Sequence, residues 1–144
     1  MPAGPAQQGA IPTVADRWAA SDPSAAAQWA SNFPDGAQKA AAYSNIIGKW
    51  AASDPVQASS WLTQLPTGSS RDAAVATFSN TVAAADPEDA DQWAESIGDP
   101  QKRQAQVTTI LQNWMQSDPT SASVAVQKSS LPDNVKSQLL QPKQ

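Results

Sequence analysis

The residue types that carry out most enzyme chemistry are missing from this sequence. It contains no histidine and no cysteine, which removes the commonest general base, the thiolate nucleophile, thiolate metal sites and disulfides. Ser–Lys pairs and carboxylate dyads remain, but neither a Ser-x-x-Lys nor a Gly-x-Ser-x-Gly motif occurs. No phosphate-binding glycine loop occurs either, because the internal glycines are isolated. We therefore expect a protein that is not an enzyme and that holds no cofactor and no metal.

Acidic residues are densest at Asp86, Glu88, Asp89, Asp91 and Glu95. A calcium or catalytic site is one interpretation, although the spacing of a calcium-binding loop is absent. The other interpretation is structural, because acids are favourable near the positive end of a helix dipole. We prefer the structural interpretation.

Tryptophan is the second chemically notable type, since indole rings can stack on sugars or fill a core. The six tryptophans are Trp18, Trp29, Trp50, Trp61, Trp93 and Trp114. They fall on apolar stripes that recur at a constant interval, which favours core packing over carbohydrate binding.

That interval is 32 residues, and it organises the chain. Asp-Pro pairs begin at Asp22, Asp54, Asp86 and Asp118. Each Asp suits a helix N-cap, and the following proline suits the first helical position. Each unit then predicts a short helix A, ending at Pro34, Pro66 or Gly98, and a longer helix B. New N-caps are predicted for the B helices at Asp35, Thr67, Asp99 and Asp133.

Repeats of this length are typical of stacked helical units. The predicted fold is an all-α short solenoid of antiparallel helix hairpins. It comprises a leader at 1–10, a half repeat at 11–21, repeats at 22–53, 54–85 and 86–117, and a closing repeat at 118–141. A leading half repeat leaves an apolar edge, which predicts either upstream sequence or end-to-end self-association.

Two sets of side chains at matching repeat positions form the predicted partner-binding surface. Lys39, Arg71 and Arg103 lie near the starts of the B helices, where like charges are mildly unfavourable. They could receive acidic groups of a ligand, pair with acids of a neighbouring unit, or be solvated. Gln28, Ser60 and Gln92 lie on the presumed outer face of helix A and could hydrogen-bond a guest backbone.

The run Asp54-Pro55-x-x-Ala58-x-x-Trp61-Leu62, followed by Ala74-x-x-x-Phe78, resembles the tetratricopeptide repeat. It departs from that family in its 32-residue period, in the early end of helix A, and in lacking the family's helix A glycine. The pattern Trp-Ala-x-x-Asp-Pro-x-x-Ala-x-x-Trp also resembles repeats in large uncharacterised bacterial proteins. The resemblance implies a right-handed superhelix with a protein- or peptide-binding concave face lined by helix A.

Composition narrows the classes of partner. The net charge is -4 with nine scattered Lys and Arg, so nucleic acid is not an expected partner. No apolar run is long enough to span a membrane. Abundant Ser, Gln and Ala favour a bacterial envelope or secreted protein. The leading hypothesis is a scaffold or protein-binding module; a self-assembling spacer and a carbohydrate binder are the alternatives.

Overall fold

The structure is a computed structural model that describes residues 13–141, and all the regular secondary structure in that range is α-helical. The all-α prediction is therefore confirmed. The predicted leader at 1–10 lies outside the described residues. Helix α1 covers residues 13–19 of the described range. The helices that follow are α2 (Pro23–Ser31), α3 (Ala37–Ser53), α4 (Pro55–Thr63), α5 (Ser69–Val82), α6 (Pro87–Glu95), α7 (Pro100–Ser117), α8 (Pro119–Lys128) and α9 (Asp133–Leu140).

The short helices α2, α4, α6 and α8 begin as the Asp-Pro pairs predict. The side chain of Asp54 accepts a hydrogen bond from the backbone N–H of Gln57 at 3.1 Å, and Pro55 follows as the first helical residue. Asp22, Asp86 and Asp118 make the same bond three residues ahead, at 3.0, 3.0 and 3.2 Å. Each carboxylate satisfies an amide that the helix itself leaves without an acceptor.

The long helices α3, α5 and α7, and the eight-residue helix α9 that follows α8, begin differently from the prediction at three of four positions. Asp99 is an N-cap and accepts from the N–H groups of Gln101 and Lys102. The predicted caps at Asp35, Thr67 and Asp133 are wrong, because the capping residues are Gly36, Gly68 and Pro132.

Asp35 does not cap its own helix because its carboxylate is used one hairpin further on. It accepts hydrogen bonds from the backbone N–H of Ser70 at 3.1 Å and from the hydroxyls of Ser69 and Ser70. Gly68 permits this approach, since a Cβ there would lie 3.2 Å from the Asp35 Oδ2 atom. The Ser70 hydroxyl contributes most to holding the pKa of Asp35 below its ordinary value.

Carboxylates bridge the next two hairpins in a related way. Asp72, a buried residue of α5, accepts from the N–H groups of Gly98 at 2.9 Å and Asp99 at 3.1 Å, just before α7. Glu95, the last residue of α6, accepts from the N–H of Ser130 at 2.9 Å in the loop before α9. We call Asp35, Asp72 and Glu95 the bridging carboxylates.

The core lies between the long helices and the short helices packed on them. Successive long helices contact one another, and each short helix contacts the long helices on either side of it in sequence. Both sets contribute to the largest fully buried side chains, which include Ile46, Ile47, Leu62, Phe78, Ile110 and Leu111. Among residues 13–141, no helix combines the length and apolar character that crossing a membrane requires.

We expect the substitution Asp72→Ala to lower the free energy of unfolding by about 2–4 kcal/mol, because two amides would lose their charged acceptor in a buried site. Urea denaturation followed by circular dichroism measures this loss. The control is Glu88→Ala, which removes an exposed acid from the first turn of α6 and should change stability by no more than about 0.5 kcal/mol. Equal effects of the two substitutions would contradict the bridging role of Asp72.

Candidate binding grooves

Two grooves open along the short-helix side of the molecule. The α2–α4 groove has a volume of about 580 Å³. Its lining includes Ser24, Gln28, Ser31, Lys39, Tyr43, Trp50, Ser60 and Trp61. The α6–α8 groove is larger, at about 840 Å³. Its lining includes Glu88, Asp91, Gln92, Glu95, Trp114, Val124, Ala125 and Lys128.

The grooves occupy matching places in the sequence repeat. Gln28 and Gln92 are two repeat lengths apart, as are Trp50 and Trp114, and each pair contributes one residue to each groove. Both grooves therefore have a short helix on each side and a long helix beneath. The two grooves differ in which side chains occupy the corresponding positions of their linings.

Four of the six predicted partner-binding residues line the grooves. Gln28, Lys39 and Ser60 come together in the α2–α4 groove, and Gln92 lines the α6–α8 groove. Arg71 and Arg103 are brought together elsewhere, at the carboxyl end of α6. Their guanidinium groups donate to the backbone oxygens of Ser96 at 3.1 Å and Ile97 at 3.0 Å.

These contacts give the repeated cations a physical role that the sequence did not reveal. The last carbonyls of a helix have no partner within it, and its carboxyl end is negative. Arg71 and Arg103 donate to such carbonyls at the end of α6. Lys39 does the same for α2, donating to the oxygen of Ser31 at 3.3 Å, while its ammonium lies 5.4 Å from the Tyr43 ring centroid.

Aromatic rings pair where a long helix meets the next short one. Trp18 lies 5.9 Å from Trp29, and Trp50 lies 6.0 Å from Trp61, measured between ring centroids. Trp93 pairs with Phe78 at 5.6 Å. Trp114 occupies the position of Trp50 two repeats later, but Ala125 stands where the partner indole would be. In the part of the chain that the structure describes, no aromatic ring pairs with Trp114.

The α6–α8 groove is acidic along one wall. Glu88, Asp91 and Glu95 project from α6, and only Lys128 offers an opposing charge in the lining. The Glu95 carboxylate is already engaged by Ser130. Asp91 is partly buried, and its Oδ1 atom is closed off from solvent without a hydrogen-bond partner among the described residues.

The surroundings of Asp91 disfavour its charged form. Desolvation, followed by the nearby charge of Glu95, raises the pKa of Asp91 to about 6. An unpaired carboxylate of this kind gains from any donor that reaches it. With Glu88, Asp91 and Glu95 against the single Lys128, the lining of this groove is electrostatically favourable for a cation.

The sequence analysis grouped Asp91 with the acidic stretch, for which it preferred a structural role, and it did not predict that Ala125 lines a site. Trp114 was predicted to be a core residue, Glu88 was assigned to the same acidic stretch, and Lys128 was not singled out. The available signal was the break in the tryptophan set at Ala125, because one small residue at a position otherwise held by indole implies open space beside it.

We expect Asp91→Asn to stabilise the protein near pH 7 by about 1–2 kcal/mol, after allowing for the partial exposure of the side chain. A raised folded-state pKa means that the native state binds more protons than the unfolded state between about pH 4 and pH 6, so the contribution of Asp91 falls as pH rises through that window. The gain should therefore shrink towards pH 4.

The measurement is the difference in unfolding free energy between Asp91→Asn and the unaltered protein at both pH values. The difference is needed because Asp35 and Asp118 have lowered pKa values and act with the opposite sign. A gain that did not vary with pH, or a loss of stability near pH 7, would contradict the account of Asp91.

Comparison with known proteins gives no indication of function. No protein-family model, no curated protein and no solved structure matches the chain. The function must therefore be argued from the chemistry of the grooves and from the helices that position them.

Proposed function

We propose that this protein is a non-catalytic helical-repeat module that binds segments of other polypeptides in the grooves between its short helices. The observation that carries this proposal is the pair of grooves at matching repeat positions. A single groove can be an accident of packing, whereas the same groove in two units follows from the way the hairpins are joined. Concave sites with a few polar groups among apolar ones are the usual form of a binding site.

The proposal includes a finer description of the architecture. The hairpins form a short α-solenoid with a 32-residue period and a right-handed superhelix, similar to tetratricopeptide proteins. Three features support this: the near-identical backbone angles of Asp22, Asp54, Asp86 and Asp118, the alternation of short and long helices from α2 to α8, and the contacts between successive long helices. In that family the first helix of each unit lines the binding face, and here the short helices line the grooves.

The polar lining suits a peptide guest. Gln28, Ser60 and Gln92 lie in the exposed parts of the grooves, where their amide and hydroxyl groups can exchange hydrogen bonds with a guest backbone. Trp61 and Trp114 supply partly buried aromatic surface beneath them. Such a mixture gives both apolar contact area and directional bonds.

End-to-end self-association is the second candidate, and the first described helix favours it. Val14 and Trp18 on α1 are 44% and 37% exposed. A second copy could cover them, which would bury apolar surface and give a mass that rises with concentration. A carbohydrate-binding role has less support, because Trp50 is buried and Trp29, Trp61, Trp93 and Trp114 pack against the core.

Selection from a displayed library of random peptides tests the leading proposal. We expect enriched peptides to protect backbone amides of α2 and α4, or of α6 and α8, from hydrogen exchange. Each selected peptide compared with its scrambled sequence provides the control. Failure to enrich any peptide, or protection confined to the long helices, would contradict the proposed function.

A further inference from the structure

Ala125 opens the α6–α8 groove, because the corresponding position of each earlier repeat holds a tryptophan. In the α2–α4 groove the same repeat position holds Trp61, whose ring pairs with Trp50 and also meets Tyr43 edge-on at 4.9 Å. Ala125 leaves Trp114 partly exposed at the floor of a groove of about 840 Å³. The face of an indole is an acceptor for flat cations and for other rings.

The α6–α8 groove also differs from the α2–α4 groove in the charges of its lining. Glu88 and Glu95 stand where the α2–α4 groove has Ser24 and Ser31, and Asp91 stands two repeat lengths after Ala27. One groove is therefore aromatic and uncharged on its short-helix wall, whereas the other is open and acidic. The two grooves share their arrangement of helices but differ in the charge and aromatic content of their linings.

We propose that the α6–α8 groove binds an arginine side chain of a partner polypeptide, with the guanidinium stacked on Trp114 and paired with the carboxylates of Asp91 and Glu88. This inference rests on the proposed peptide-binding function and names the chemistry of its guest. Arginine fits both features because its planar cation stacks on an indole and offers a fork of donors to carboxylates.

Other guests would interact favourably with only one of the two features, the indole face or the carboxylates. A lysine ammonium is compact and strongly hydrated, so it gains less from the open indole face. A neutral aromatic side chain would fill the space beside Ala125 but leave the Asp91 carboxylate without a donor. An acidic guest would be repelled by three carboxylates that face a single lysine in the lining.

Calorimetric titration of the full chain with an arginine peptide tests the inference. The peptide is short, acetylated and amidated, and it carries paired arginines among Ser, Gln and Ala residues. Two matched peptides carry lysine or neutral citrulline in place of arginine. We expect the citrulline peptide to bind at least about tenfold more weakly than the arginine peptide, because the charge-assisted bonds are lost. Binding of the lysine peptide should be intermediate.

Two variants locate the binding, each with a control. Ala125→Trp fills the groove with the residue of the earlier units, and Asp91→Asn removes the unpaired carboxylate. Each should weaken the arginine peptide by at least about tenfold. The controls are Val56→Trp, on an exposed side chain of α4, and Asp133→Asn, on an exposed residue of α9. Both controls should bind as the unaltered protein does.

The outcomes separate this inference from the proposed function. If the arginine peptide does not bind, or binds Ala125→Trp and Asp91→Asn unchanged, the inference is overturned. Library-selected peptides that lack arginine yet protect α6 and α8 would overturn the inference and leave the function intact. A concentration-dependent dimer that Ala125→Trp abolishes would assign the groove to a second copy and also overturn it. Thermal melts confirm that each variant is folded.

Discussion

The structure depends on one kind of hydrogen bond. In it, a carboxylate of one hairpin accepts from backbone amides at or just before the start of a later helix. Asp35 serves α5, Asp72 serves the start of α7, and Glu95 serves the loop before α9. The first amides of a helix need acceptors from outside it. Because these acceptors come from an earlier hairpin, they tie the starts of α5 and α7 and the loop before α9 to the preceding helices.

This constraint positions the grooves. The short helices begin at their own Asp-Pro caps, and the cations Lys39, Arg71 and Arg103 bind the carbonyls where α2 and α6 end. The clefts between neighbouring short helices differ at one aromatic position, which is Trp61 in one cleft and Ala125 in the other. Indole at Trp61 narrows the α2–α4 groove, whereas Ala125 leaves the α6–α8 groove open. The lining of a groove can thus differ between units while the helices around it stay the same.

Local signals in the sequence predicted much of the fold. Asp54-Pro55 is read correctly because the cap and its amide are only three residues apart. Asp35 is misread for the opposite reason, since its partner Ser70 is 35 residues away and both Asp and Ser are ordinary cap residues. The lining of the grooves needed the same long-range knowledge: Asp91 and Trp114 are on different helices, and nothing local to either residue shows that both line one groove.

Native-state hydrogen exchange of the amides of Ser70, Gly98, Asp99 and Ser130 tests the central claim most directly. These amides lie at helix starts or in loops, where exchange is ordinarily fast. The account predicts that they are protected to an extent approaching that of core amides such as that of Phe78, because each donates to a bridging carboxylate. Exchange as fast as that of an unstructured chain, while the core stays protected, would contradict it.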